Sequence, residues 1–121
     1  MTFLRFLPAV FWMILIFWLS ASPDLRGASG FIDLRPPFDK VVHAASFGLL
    51  ALFFYFATGR AFLSILLASL YGVSDEIHQS FVPGRDADLF DWVADTLGAT
   101  LAVSFALFSL RLRSGQVKKL Q

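Results

Sequence analysis

Hydrophobic residues in this chain fall in four long blocks rather than in short alternating runs. Phe6 to Pro23 contains no charged residue, and Val41 to Gly59 carries only His43 as an ionisable group. Ala61 to Ser74 is again uncharged, and the fourth block, from about Leu89 to Leu110, is broken only by Asp91 and Asp95. A membrane-crossing helix needs about 20 mostly apolar residues, which each block can supply, the third and fourth less cleanly. None alternates with period two, which argues against a transmembrane barrel. The pattern predicts an all-α, polytopic membrane protein: a four-transmembrane-helix bundle with spans near 4–22, 40–59, 61–81 and 89–110. An outer loop over 23–39 and a tail over 111–121 complete one domain covering 1–121.

The first block also has features of a cleaved signal peptide, with Arg5 as the basic region and Ser20-Ala21-Ser22 before the cut. Pro23 would then follow the cut, and the apolar run exceeds the usual core of ~7–15 residues, so a retained helix is the better reading. Four spans put both termini on one side. That side would carry Arg5, Arg60, Arg111, Arg113, Lys118 and Lys119, against Arg26, Arg35, Lys40 and Arg85 opposite. The excess of basic residues places both termini in the cytoplasm.

Composition agrees with a chain that meets lipid. Only 16% of residues are charged, against about 25% in an ordinary soluble domain, and there are fifteen phenylalanines. A net charge of +1 and the lack of any nucleic-acid motif point away from a polyanionic partner. With no cysteine there is no disulfide, thiolate metal site or cysteine-borne lipid anchor. The bilayer is the first partner expected; oligomeric state is not legible.

Where the charge does occur, it is segregated. On this topology all nine carboxylates and both histidines fall on the outer half. Asp75 lies fourteen residues beyond Ala61, about 21 Å along its helix at 1.5 Å per residue, hence ~9 Å below the outer surface. Asp95 reaches a similar depth, and His43 and Ser46 lie roughly 6 and 10 Å beyond Asp39. At 100° per residue, Asp39, His43 and Ser46 share one face. Asp75 and Gln79 share another, with Glu76 and His78 beside them, and Asp88, Asp91, Asp95, Gly98 and Ala102 a third. The simplest packing turns these stripes inward around a polar pocket, with the small residues allowing close helix approach.

Ordinary explanations cover part of this set. Asp39 and Asp88 suit helix N-caps, and Asp91 suits a first turn. Tyr71 and Trp92 read as core and interface aromatics. Asp24, Asp33 and Asp86 read as solvated loop charges. Asp75 and Glu76 resist such readings: they sit at the negative C-terminal end of an outward-running helix, adjacent and partly below the lipid surface. Lys40, Arg85, a histidine, a cation or a bound proton must offset them.

The series Asp39-Lys40-x-x-His43, then Glu76-x-x-Gln79-x-Phe81-x-Pro83-Gly84-Arg85, then Asp88-x-x-Asp91 and Gly98 resembles the VanZ family of small bacterial membrane proteins. It covers Asp39 to about Ala102. Asp95 departs from the family pattern, which usually has asparagine there. The resemblance implies a bacterial cytoplasmic membrane protein and a process, since the family is named for a protein of glycopeptide-resistance clusters that lowers susceptibility to teicoplanin. It implies no established reaction.

Two function classes follow. In the first, Glu76, Asp75 and His43 are catalytic acid–base groups, while Lys40, Gln79, Arg85, Asp91 and Asp95 bind the ligand. Lys40 and Arg85 would hold an anionic group such as a phosphate, and the substrate would be an envelope lipid or precursor. In the second, the pocket binds or stabilises without turnover. A transport path ranks below both because the cytoplasmic half has few polar groups. Asp39 with His43 and Glu76 with His78 offer N and O donors for a divalent metal, but Lys40 and Arg85 offset much of the charge. An ion-pair network is therefore preferred and no cofactor is predicted.

Overall fold

Each apolar block becomes a helix, and successive helices run in alternating directions. A 3₁₀ turn over Thr2–Phe6 leads into α1 (Leu7–Ser20), followed by α2 (Phe38–Thr58), α3 (Ala61–Ser80) and α4 (Leu89–Lys119). The computed structural model describes residues 2–21 and 38–120, among which there is no strand. The expected outer loop, with Asp24, Arg26, Asp33 and Arg35, therefore lies outside the described residues except for Phe38 and Asp39.

Local chemistry sets the helix ends. Pro8 sits in the first turn of α1, where its missing N–H costs no helical bond. Gly59, at φ 66°, ends α2 in the left-handed conformation that glycine adopts without strain, and its N–H donates to the Tyr55 carbonyl at 2.8 Å. Asp88 caps α4 by accepting from the Phe90 N–H at 2.9 Å. Asp39 is not a cap: α2 begins at Phe38, which puts Asp39 inside the first turn.

The fourth helix corrects the expected boundary at 110. It runs for 31 residues, about 46 Å, well beyond a hydrocarbon core of ~30 Å. The segment from Arg111 to Lys119 is rich in good helix formers, and Lys118 and Lys119 favour the negative C-terminal end. The tail is thus a helical extension.

Three helices, Thr2–Ser20, Phe38–Thr58 and Leu89–Lys119, are long and apolar enough to cross a membrane. α3 has the length, at 20 residues, but Asp75, Glu76, His78 and Gln79 dilute its apolar character. Large apolar side chains such as Phe11, Trp18, Phe62, Leu101 and Phe105 stand exposed on the outside of the bundle, as contact with lipid requires. Phe47, Leu50, Ala51, Ala68, Ala99 and Val103 fill the interior.

Contact is closest between α2 and α4. A Cβ placed on Gly98 would lie 2.1 Å from the Ala44 carbonyl oxygen, and one on Gly48 would lie 3.1 Å from the Gly98 carbonyl oxygen. Backbones this near require the small residues Ala44, Gly48, Gly98 and Ala102 at the crossing. α3 packs on both of these helices. The Trp92 Nε1–H donates to the Ser69 carbonyl at 3.2 Å, and the hydroxyls of Ser69 and Thr96 meet at 2.9 Å. α1 lies along α2 and α3 and is fastened by Trp12 Nε1–H to the Ser46 carbonyl, 2.9 Å, and Tyr71 O–H to the Met13 carbonyl, 2.6 Å. One end of the bundle thus gathers Ser20, Asp39, Gln79 and Asp88. At the other end the Arg5 guanidinium lies over Phe56, 5.4 Å from the ring centre.

Candidate functional site

The N-terminus of α4 organises the polar end of the bundle. Its first turn presents amide N–H groups without helical acceptors and the positive end of the helix dipole. Asp88 satisfies one amide as cap, and its own N–H donates to Glu76 Oε2 at 2.8 Å. Glu76, badly placed at the C-terminal end of its own helix, is therefore compensated by the start of the next. Asp91 and Asp95 follow on the inner face of α4, 1% and 0% exposed.

α2 brings the cations. Lys40 Nζ lies 3.2 Å from Asp39 and 2.8 Å from Asp88, and it also donates to Asp91 Oδ1. One turn on, His43 Nδ1 lies 2.8 Å from Asp95 Oδ1, while Nε2 is 3.6 Å from Asp91 Oδ2. An ionised Asp95 can only accept, so Nδ1 carries the proton in that bond. α3 closes the site with Gly72, where a Cβ would come within 3.0 Å of Asp95 Oδ2. The Lys40 ammonium, with help from the Phe90 amide, holds the Asp88 carboxyl below its ordinary pKa.

A second branch faces α1. Buried Gln79 donates from Nε2 to Asp75 Oδ2 at 2.9 Å, with Ser20 Oγ at 3.5 Å from the same nitrogen. His78 stacks on Phe17, with ring centres 4.2 Å apart. Residues two apart on a helix point to opposite sides, so Glu76 and His78 do not share a donor face. Tyr71, one turn before Asp75, lines an apolar groove of about 270 Å³ with Val10, Met13, Ile14 and Phe17.

Of the residues singled out in the sequence, His43, Glu76, Asp91 and Asp95 surround one space, together with Lys40. Asp75 and Gln79 form the neighbouring branch. Arg85 is half-buried on the turn before α4, whose N–H donates to the Val82 carbonyl at 3.1 Å. Of the two carboxylates expected to meet Arg85, Asp91 pairs with Lys40, and Glu76 accepts from the Asp88 amide. Lys40, expected to receive an anionic group, is engaged by three carboxylates. Ser20 and Gly72 escaped the sequence reading. Gly72 had a signal, since Ala68, Gly72, Asp75 and Gln79 fall on one helical stripe.

Several acceptor atoms remain without a protein partner. Asp39 Oδ1, Glu76 Oε1, Gln79 Oε1 and Asp95 Oδ2 are buried and accept no hydrogen bond. Lys40 and His43 are set against Asp39, Asp88, Asp91 and Asp95. An acceptor-rich site of this kind suits a ligand that brings donors or positive charge.

The sequence profile of the VanZ/LLP1 family matches residues 3–111. An uncharacterized protein of Schizosaccharomyces pombe is 44% identical over 71 residues, which cover 54% of this chain and 44% of that protein. The chain thus spans less than half of that relative's length. No solved structure matches the chain.

Proposed function

We propose that this chain, which belongs to the VanZ/LLP1 family, engages a cell-envelope lipid or lipid precursor through the polar end of its bundle. The observation that carries this reading is the buried oxygen Oε1 of Glu76, which has no protein partner although Oε2 of the same group is anchored on the Asp88 amide. A purely structural network would be better served by apolar packing, because buried ion pairs are weak stabilisers. The groove lined by Met13, Phe17 and Tyr71, one turn below Asp75, has the chemistry of an acyl-chain seat and supports a lipid ligand. When chemistry accompanies binding, Glu76 and His43 are the acid–base groups nearest the open acceptors. A second reading, binding or stabilisation without turnover, is favoured by the same Glu76–Asp88 bond, which gives that carboxylate a structural duty.

On this proposal the protein sits in the bacterial cytoplasmic membrane with both termini in the cytoplasm and the acidic cluster facing out. An impermeant thiol reagent added to cells should label a cysteine at Asp86 and spare one at Lys119. The reverse pattern would overturn the outward site.

Glu76→Gln tests the function. Glutamine keeps the shape and can still accept the Asp88 N–H, but it loses the charge. The variant is expected to fold, reach the membrane at wild-type levels and abolish any envelope or glycopeptide-tolerance phenotype of the parent. Undiminished phenotype at equal expression would sink the reading.

A further inference from the structure

Three donor side chains of the cluster, outside the bonds of Lys40, meet in one place. Lys40 is engaged by Asp39, Asp88 and Asp91 on one side of the site. That leaves His43, Glu76 and Asp95, and one donor atom from each lies within 4.8 Å of those of the other two. Two of these side chains also carry an unpartnered oxygen. Asp95 is 0% exposed and its Oδ2 accepts nothing, and Glu76 Oε1 is buried without a partner. Neither oxygen is offset by the hydrogen bond that the same carboxylate makes through its other atom, to His43 and to the Asp88 amide.

We propose that His43, Glu76 and Asp95 hold one divalent cation of the zinc or manganese class. A neutral imidazole with two carboxylates sums to two negative charges, which a divalent ion cancels and a single proton does not. The donor set of one nitrogen and two oxygens suits zinc and manganese and disfavours calcium. Ligand atoms on one metal with bonds of ~2.1 Å sit roughly 3–3.4 Å apart, so the three donors, now within 4.8 Å of one another, draw in on binding, and the proton shared between His43 Nδ1 and Asp95 is released. Rotation of the Glu76 carboxyl about its Oε2 anchor brings the third donor in. The site differs from the pairs read in the sequence: Asp39 belongs to Lys40, and His78 is stacked on Phe17.

The inference deepens the reading of this site as a ligand pocket and rests on it for purpose, because a cation here would let an acid-rich pocket receive an anionic headgroup. Its test needs no lipid. The full chain, purified in detergent and stripped with a chelator, is titrated with Mn²⁺ and followed by electron paramagnetic resonance. One Mn²⁺ should bind per chain, displaceable by Zn²⁺, with the nitrogen modulation of a coordinated imidazole in the pulsed spectrum. His43→Gln and Asp95→Asn should weaken binding by at least about tenfold, since even an outer-shell change at a metal site costs that much. The loop variant Asp86→Asn should not. Weak multiple binding without nitrogen modulation in the wild-type protein would overturn the proposal, even if a variant fails to fold. So would wild-type affinity in His43→Gln. Failure of the wild-type chain to bind Mn²⁺ or Zn²⁺ while it still binds lipid would overturn this inference alone.

Discussion

Gly98→Ala is expected to be the most damaging single-methyl change in the protein. The added Cβ would lie 2.1 Å from the Ala44 carbonyl oxygen and 2.6 Å from its carbonyl carbon and Cα. These are backbone atoms of a packed helix, so no rotamer change relieves the overlap. α2 and α4 must separate by more than an ångström, which draws His43 from Asp95 and Lys40 from Asp91 as well. Forced overpacking costs typically 1–3 kcal/mol, and a backbone obstacle puts this site at about 3 kcal/mol or more. Gly115 is the control: nothing lies within 4 Å of a Cβ placed there, and alanine on that exposed turn should stabilise α4 by about 0.5–1 kcal/mol. Unfolding of the two variants in the same detergent measures the contrast, and equal stability would contradict the close helix crossing.

Lys40→Met should rank second. Methionine keeps the apolar stem but removes the ammonium shared by Asp39, Asp88 and Asp91, and Asp91 is only 1% exposed. Breaking a buried pair by removing one partner costs about 3–5 kcal/mol. With its side chain 29% exposed, Lys40 is partly screened, so roughly 2–4 kcal/mol is expected. Adding Asp91→Asn should restore much of the loss by removing the unpaired buried charge. Asp88 gives a second readout. Its carboxyl is held below its ordinary pKa chiefly by Lys40, so this part of the wild-type stability exists above the ordinary value and fades as pH falls. In Lys40→Met the Asp88 carboxyl should titrate closer to an ordinary aspartate, visible by carbon NMR. An unmoved titration would mean that the ammonium is not what holds it.

Much of this arrangement was legible in the order of residues. Block length exposed the helices, and helical period aligned Asp39 with His43, and Asp91 with Asp95 and Gly98. The family resemblance, drawn from those same positions, agrees with the profile match over 3–111. Pairing across helices was less legible, because periodicity fixes a face but not the neighbour it meets. Lys40 follows Asp39 in sequence, yet its deciding partners, Asp88 and Asp91, belong to α4. Glu76 looked uncompensated because its offset, the Asp88 amide, comes from the backbone of another helix start. Asp75 and Glu76 are neighbours that diverge, one toward Gln79 beside Ser20 and the other toward α4. The helical extension to Lys119 was missed because the span was measured by hydropathy, and basic residues continue a helix well beyond the lipid.

On the proposed reading the polar end of the bundle is a ligand pocket. Native mass spectrometry of the purified full chain, exposed to a lipid extract of the bacterial envelope, tests this most directly. The predicted result is one lipid or lipid-linked precursor retained per wild-type chain and none on an equally folded Glu76→Gln. Equal lipid occupancy of the two proteins would contradict it.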